Sequence, residues 1–395
     1  MEVFDAMTAF FAAGIAKLHI APDSYGSYMF PPSLTAEQIP ALVEEGFIPT
    51  VEGLAPAITF ALLLGVLRFF LHHAVFKPLA ETTLRVKHIP LVAIGDIDAA
   101  FPKAAKLAES SQVKAYCARS GRKELDVQRY LWTRRRNRVT NTKIVKYVEA
   151  AWRFIFYSSF CALGYYALFV PTTAPWINET LQFFVGWPYH PVSSAVALYY
   201  QVELGCYVHQ LFWTEVTRSD AFEMILHHLI TIALITISFL NNFTRIGSVI
   251  LLLHDVADVF LEAGKVLNYI SKAKGGKWLA PIVDSIFGLF AVSFFVTRLV
   301  LYPRYILWSM STEGYGHFGG GWPVGWSFVV LLFALQFLHI FWFYLIMRMV
   351  VKICSTGTVE KDERSDDEDD FDEEEDEFEE VVSSSSSGAE GKKSK

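Results

Sequence analysis

The most informative stretch of the chain runs from His227 to Ile270 and has the sequence HHLITIALITISFLNNFTRIGSVILLLHDVADVFLEAGKVLNYI. It contains two apolar segments of nearly membrane-crossing length. A charged side chain at the centre of a bilayer costs ~2.5–3.5 kcal/mol on insertion scales, so ionisable groups in such segments are expected to face a protected interior. Those groups are His227, His228, His254, Asp255, Asp258, Glu262 and Lys265. The stretch therefore predicts a catalytic centre inside a membrane bundle.

The composition of the whole chain also predicts a membrane protein. Of its 395 residues, 53% are hydrophobic and 15% are aromatic. A helix that crosses the bilayer needs ~20 consecutive, mainly apolar residues. The segments that satisfy this requirement are 53–76, 150–171, 191–213, 221–240, 247–270, 279–301 and 323–351. We therefore predict an all-α polytopic membrane protein with about seven transmembrane helices.

The distribution of basic residues predicts the orientation, because Lys and Arg are retained on the cytoplasmic side of a membrane. From Lys77 to Val148 there are 16 Lys and Arg residues against 6 Asp and Glu residues. The loops near Arg218 and near Lys272 are basic too, whereas the alternate loops contain only isolated arginines. The N-terminal segment, 1–52, is therefore predicted to be lumenal, and the C-terminus is predicted to be cytosolic.

The polar residues of the fifth predicted span lie along one face of a helix. His254, Asp258 and Glu262 follow one another at i, i+4 and i+8, and Asp255 lies on the adjacent flank. Such a stripe can orient an imidazole, stabilise its charged form, or bind a polar substrate group.

The histidine pair of the fourth span should meet this stripe. His227 and His228 point ~100° apart on a helix, so only one of them can aim at the fifth span. A short connection near Asn241 makes the two spans antiparallel neighbours. Measured from that connection, the depths of His228 and His254 differ by only ~6 Å.

The order of residues in this stretch closely resembles the Lag motif of ceramide synthases. The positions that carry the resemblance are His227, His228, Thr231, Ser238, Asn242, Arg245, Gly247, His254, Asp255, Asp258, Leu261, Glu262, Lys265 and Tyr269. Residues 145–355 look similar to the TLC membrane domain of these enzymes, including EAAWRFIFY at Glu149–Tyr157. One departure is Gly264, which stands where Ala usually precedes the Lys.

The resemblance implies an acyltransferase that joins the acyl group of a fatty acyl-CoA to the amino group of a sphingoid base, without a bound cofactor. The implied catalytic residues are His227, His228, His254, Asp255 and Asp258. The implied substrate-binding residues are Ser238, Asn242, Arg245, Glu262 and Lys265. Two alternatives stay open for the last two residues, which either bind the phosphates of coenzyme A or pair with each other. Two routes also stay open for the chemistry: a His acts as general base, or it accepts the acyl group as an acyl-imidazole.

Two other classes of function fit parts of the pattern. Membrane di-iron enzymes need repeated H-x-x-H and H-x-x-H-H boxes, whereas the only histidines expected inside the membrane are His72, His73, His227, His228 and His254, with different spacing. We therefore expect no metal. A non-catalytic TLC-domain protein that handles or translocates lipids is the stronger alternative, and the His-His and His-Asp-x-x-Asp pattern argues against it.

The basic loop, residues 77–144, resembles the degenerate homeodomain that animal ceramide synthases carry between their first two spans. Tyr130 and Leu131 stand where a DNA-recognition helix has Trp-Phe, and Thr133 stands where it has the Asn that reads adenine. We therefore expect no specific DNA binding. Arg134–Arg136 are expected to form a solvated helix surface that faces lipid headgroups, with a contact to coenzyme A as the alternative.

Residues 356–395 are predicted to form a disordered cytosolic tail. Between Glu360 and Glu380 there are 16 acidic and 2 basic residues, and such a segment repels itself. Asp362–Glu368 resembles a D-x-R-S-D-x-E pattern of dimerising ceramide synthases, which implies a homodimer or heterodimer. Ser365 lies in an acidic context that suits phosphorylation by an acidophilic kinase.

Two short motifs predict processing and location. Lys392 and Lys393 lie third and fourth from the end, which resembles a cytosolic dilysine signal for retrieval to the endoplasmic reticulum. Asn178 begins a glycosylation sequon in a predicted lumenal loop. We therefore expect a multi-pass protein of the endoplasmic reticulum membrane.

Overall fold

The computed structural model describes residues 34–35, 37–101, 110–170, 179–212, 221–273, 275–318 and 322–356. All regular secondary structure within these ranges is helical. The predicted glycosylation, phosphorylation and retrieval sites, Asn178, Ser365, Lys392 and Lys393, lie outside them, as does the tail beyond Thr356.

Twelve α-helices are numbered in chain order within the described ranges. They are α1 (Gln38–Glu44), α2 (Pro56–Leu71), α3 (Lys77–Thr83), α4 (Gly95–Ala100), α5 (Ser110–Ser120), α6 (Glu124–Phe169), α7 (Ser194–Phe212), α8 (Ala221–Leu240), α9 (Thr244–Lys272), α10 (Ala280–Phe294), α11 (Tyr315–Phe318) and α12 (Pro323–Thr356). A π-helical segment, His72–Phe76, joins α2 to α3, and two more, Phe295–Leu307 and Ser309–Gly314, follow α10.

Four helical stretches in the described residues are long and apolar enough to cross a membrane. They are Val51–Thr83, Ala221–Leu240, Lys277–Phe318 and Pro323–Val351. The other three predicted spans are also helical, as parts of α6, α7 and α9. Polar residues such as Glu203 in α7 and Asp255 in α9 lower the mean hydropathy of these helices, and they are buried. The protein is thus a helical membrane protein, and the number seven stays a prediction.

Helix α9 occupies the centre of the bundle. It packs against α6, α7, α8 and α10, and against the π-helical segment after α10. Ala257 of α9 is fully buried against Phe290 and Phe294 of α10. On another side, Leu251 packs with Tyr199 and Tyr200 of α7. Because α9 is enclosed in this way, its polar stripe is kept from lipid, as the cost of burying charge in a bilayer requires.

Glycine allows two of the membrane helices to approach closely. A Cβ atom on Gly205 of α7 would lie 2.6 Å from the carbonyl oxygen of Ala57 and 2.9 Å from the Cβ of Phe60, both in α2. Small residues at helix contacts are a common feature of membrane bundles, because dispersion contacts between backbones replace the hydrophobic driving force. The contact fixes the position of α2 against the bundle.

The basic loop folds as a small helical module. Helices α4, α5 and the start of α6 enclose an apolar core of Ile97, Val113, Val127, Tyr130 and Leu131. Tyr130 and Leu131, the residues at the Trp-Phe positions, are therefore core residues. Helix α6 is 46 residues long and continues from this module into the membrane bundle without a break.

The expectation of a solvated arginine surface at Arg134–Arg136 is wrong for Arg135. Arg134 forms an ion pair with Asp98, and Arg135 is only 6% exposed. Arg136 lies over the ring of Trp132. Hydrogen bonds from Tyr130 and Arg134 also hold the pKa of Asp98 below its usual value. Helix α4 is thus linked to α6 by charged contacts as well as by the apolar core of the module.

Candidate active site

A cavity of about 140 Å³ lies in the half of the bundle remote from the α8–α9 turn. We expected the fourth and fifth spans to build it, but the structure shows contributions from helices along the whole chain. The polar and aromatic lining residues are Arg68, Glu149, Trp152, Arg153, Phe156, Tyr157, Tyr207, His209, Gln210, His227, His228, His254, Asp258, Glu262, Lys265, Phe290, Phe294, Arg298, His339 and Trp342. Helices α2, α6, α7, α8, α9, α10 and α12 and the first π-helical segment after α10 all supply one or more of them.

The histidine pair of α8 faces two directions, as its helical offset requires. The ring of His227 lies 6.4 Å from the ring of His254 and 5.2 Å from that of Trp342, measured between centroids. His228 is 4% exposed, and its ring lies 5.9 Å from that of Tyr207. His227 is therefore the member of the pair that meets the fifth predicted span.

A third buried histidine completes this wall of the cavity. His339 of α12 is fully buried, and its Nε2 lies 2.8 Å from Nε2 of His254. The expectation that His72, His73, His227, His228 and His254 were the only histidines inside the membrane is therefore wrong. The available signal was a single His within an apolar span, FALQFLHIFW, which is by itself a reason to suspect function.

Asp258 is held by an arginine that the sequence interpretation also missed. Arg298, in the first π-helical segment after α10, donates from Nη2 to Asp258 Oδ2 at 3.0 Å and to the backbone oxygen of His254 at 2.8 Å. Its guanidinium lies 4.5 Å from the centre of the Phe294 ring. Arg298 is only 5% exposed, so the carboxylate partner compensates for the cost of burying its charge.

Asp255 lies on another side of α9 and is absent from the cavity lining. It is 2% exposed, and Tyr199 of α7 donates a hydrogen bond to Asp255 Oδ2 at 3.2 Å. The side chain of Glu203 in α7, which is 1% exposed, interacts with it electrostatically. Asp255 thus belongs to a polar cluster between α7 and α9.

The end of the cavity remote from the α8–α9 turn is charged. Arg68 of α2 forms an ion pair with Glu149 of α6, and Arg153 lies 3.9 Å from the same carboxylate. Lys265 donates to Glu262 at 2.8 Å, so the pairing alternative is the arrangement that the structure shows. These side chains place three basic groups around the mouth of the cavity.

The remaining predicted substrate-binding residues lie elsewhere. The Asn242 amide donates to the backbone oxygens of Phe47, Pro188 and His190 at 2.7, 3.1 and 2.9 Å, and Arg245 donates to backbone oxygens in the 182–185 segment. These bonds fasten the α8–α9 turn to neighbouring loops. Ser238 contacts a smaller cavity of about 20 Å³, which also reaches His254. The structure therefore does not bring these three residues into the main cavity.

Comparisons with known proteins place this bundle in a family. The family model of the TLC domain matches residues 146–348, about half of the chain. Ceramide synthase LOH1 of Arabidopsis thaliana is 40% identical over 240 residues, which cover 57% of this chain and 74% of that protein. The chain belongs to the ceramide synthase family. Ceramide synthase LOH2 of the same plant is 37% identical, over 58% of this chain and 76% of that relative.

Other members of the ceramide synthase family match over a smaller part of their length. Human ceramide synthase 5 is 37% identical over 238 residues, which cover 60% of this chain and 58% of the human protein. Bovine ceramide synthase 4 is 36% identical, over 59% of this chain and 57% of the relative. The chain therefore matches somewhat more than half of the length of these two ceramide synthases. The matched TLC region contains His227, His254, Asp258, Arg298 and His339.

Proposed function

We propose that this protein is a ceramide synthase, which transfers a fatty acyl group from acyl-CoA to the amino group of a sphingoid base. The observation that supports the proposal most strongly is the meeting of His227, His254 and Asp258 at one buried cavity, in a chain of this family. Acyl transfer to an amine requires a group that accepts a proton and a site from which water is largely excluded. The cavity contains imidazoles for the first requirement, and its enclosure among membrane helices meets the second.

The reaction also needs donors for the negative charge that develops on the thioester oxygen. Arg298 Nη1 and Trp342 Nε1 are buried donors in residues that line the cavity, and neither has a hydrogen-bond partner among the described residues. Donors that are already oriented stabilise an oxyanion without reorganisation. In this proposal Arg298 and Trp342 donate hydrogen bonds to the thioester oxygen, while His227 faces the reacting carbon.

The charged mouth of the cavity suits the phosphates of coenzyme A. Arg68, Arg153 and Lys265 surround it, and each is held by a carboxylate that an incoming phosphate could replace as partner. The sphingoid base would enter from the bilayer. No bound cofactor is required, since acyl-CoA is consumed as a substrate.

We further propose seven spans, with a lumenal N-terminus and a cytosolic C-terminus, in the endoplasmic reticulum. The basic loops support this orientation, and the acidic tail motif supports a dimer whose tail is a kinase substrate. The homeodomain-like module would have no specific DNA target, because Tyr130 and Leu131 are core residues and Thr133 is 7% exposed.

The proposed activity is tested with purified full-length protein in lipid nanodiscs. Acyl-CoAs of increasing chain length are combined with several sphingoid bases, and products are identified by mass. We expect an N-acylated base only when both substrates are present. Lipid binding without any turnover would favour the non-catalytic, lipid-handling alternative and contradict the proposal.

The two chemical routes are separated by omitting the sphingoid base. Labelled acyl-CoA is added alone, and the quenched protein is tested for a hydroxylamine-labile acyl group. A label that disappears in His227→Ala indicates an acyl-histidine, whereas an unlabelled but active protein indicates direct attack by the amine.

A further inference from the structure

We infer that His339 is a positioning residue, which occupies the acceptor nitrogen of His254 with a hydrogen bond and leaves His227 as the imidazole that meets the substrates. The inference rests on the proposed function, because it assigns separate tasks to the histidines of the same cavity. The ring of His254 makes two hydrogen bonds.

The first bond determines where the proton of His254 lies. Nδ1 of His254 is 2.6 Å from the backbone oxygen of Ile250. A carbonyl oxygen can only accept, so Nδ1 must carry the hydrogen. In a neutral imidazole the other nitrogen then has a lone pair and acts as acceptor.

The second bond occupies that lone pair. Nε2 of His254 lies 2.8 Å from Nε2 of His339, so His339 must donate from Nε2 to His254. His254 therefore has no free nitrogen with which to take a proton from an amine or attack a thioester. It can do either only after its bond to His339 breaks.

The position of His339 is itself well defined. Its ring is fully buried and packs edge-on against Tyr302, at 4.9 Å between centroids. The hydroxyl of Tyr302 donates to the backbone oxygen of Leu332 in α12, at 3.0 Å. Tyr302 is thus anchored to α12, the helix that carries His339, and its ring fixes the position of the His339 ring.

His227 differs from His254 because one of its ring nitrogens is unused. Its Nδ1 is buried without a hydrogen-bond partner among the described residues, while the ring is only partly buried and lines the cavity. An imidazole with an unused nitrogen beside a substrate cavity is suited to act as base or nucleophile. The arrangement therefore assigns substrate contact to His227 and support to His254 and His339.

Three substitutions at His339 test this assignment in the full-length protein. Gln places an N–H close to the position of the imidazole Nε2, Asn is too short to do so, and Leu has no donor. If His339 only positions His254, H339Q retains most of kcat, whereas H339N and H339L lose about tenfold or more, with little change in KM for either substrate. Thermal melting and monodispersity show which variants are folded.

Two results would overturn the inference. Full kcat in folded H339L would mean that the bond to His254 is not needed. Loss of activity in folded H339Q equal to that of H339L would mean that His339 handles a proton itself, because Gln supplies the donor but cannot titrate.

A measurement that needs no turnover separates this inference from the proposed function. In protein labelled with ¹⁵N-histidine, the His254 resonances are assigned by their loss in His254→Gln. They should show a protonated Nδ1 in wild type, H339Q and H339L, and the Nε2 resonance should shift in H339L, where that nitrogen loses its hydrogen bond. His88→Gln, at an exposed position of the basic loop, should leave them unchanged. An unprotonated Nδ1 of His254 in wild type would refute the inference. If that signal is as expected and no acyl transfer occurs, only the proposed function fails.

Discussion

The ion pair between Arg298 and Asp258 is enclosed almost completely, with 6% and 21% of the two side chains exposed. Removing one partner from a buried pair leaves an uncompensated charge, which costs ~3–5 kcal/mol, whereas replacing both with apolar residues is often nearly neutral. We therefore expect Arg298→Met and Asp258→Leu each to lower the unfolding temperature strongly, and the double variant to recover much of the loss.

Activity should follow a different pattern in the same variants. Since both side chains line the cavity, acyl transfer should stay low in the double variant even when its stability is restored. Thermal unfolding and turnover are measured on the same nanodisc preparations. Recovery of both stability and turnover would show that the pair has only a structural role.

At the scale of single residues, the sequence predicted contacts within one motif and missed contacts between distant segments. Helical offset and depth predicted that one histidine of the pair approaches His254, because a short turn joins their helices; the depth was compared for His228, whereas the structure brings His227 to His254. His339, Arg298 and Glu203 come from helices far away in the chain. Periodicity determines which face of a helix is polar, but it does not determine which other helix covers that face.

At the scale of elements, the close contact of α7 with α2 at Gly205 is the most sensitive to side-chain size. A methyl group there would have to displace the backbone at Ala57. Overpacking of this kind costs ~1–3 kcal/mol. We predict that Gly205→Ala lowers the unfolding temperature, whereas Gly288→Ala in α10 does not, because a Cβ at Gly288 would meet nothing within 4 Å.

Thermal unfolding of both glycine variants in one detergent checks this prediction. Helix propensity favours Ala over Gly at either position, so only the contact with α2 distinguishes them. Equal or higher stability of Gly205→Ala would contradict the close packing of α7 against α2.

The module formed by α4, α5 and the start of α6 depends on Asp98. Its pKa is lowered by bonds from Tyr130 and Arg134, so its contribution to stability is present above the usual carboxyl pKa and is lost as pH falls through the lowered value. Asp98→Asn removes the charge at neutral pH. We expect faster amide exchange in 95–101 and at the start of α6, while exchange in α9 is unchanged.

Equal exchange protection of Asp98→Asn and wild type in both α4 and the start of α6 would show that the apolar core alone holds the module. The sequence predicted a separate loop at 77–144, whereas the last helix of this loop continues into the membrane bundle as α6. No breaker residue interrupts α6, yet a change from polar to apolar composition along it resembles a boundary between two elements.

At the scale of the whole molecule, the helices lie where the apolar segments predicted them. Four helical stretches of the described residues have the hydropathy of membrane spans, whereas α6, α7 and α9 fall short of it. The distribution of basic residues among the loops predicts the orientation of the chain in the membrane. We expect a C-terminal tag to be digested by protease in sealed microsomes, and a glycosylation site engineered at the N-terminus to be modified. Protection of the C-terminal tag would contradict this topology.

We propose that the intramembrane histidine cavity performs acyl transfer to a sphingoid base. The most direct measurement is the rate of coenzyme A release by purified wild type, His227→Ala and the control His88→Ala, with and without sphingoid base. We predict base-dependent release by wild type and by the control, and a rate lower by ~10²–10⁴-fold in folded His227→Ala. Near-normal, base-dependent release by His227→Ala would contradict the claim.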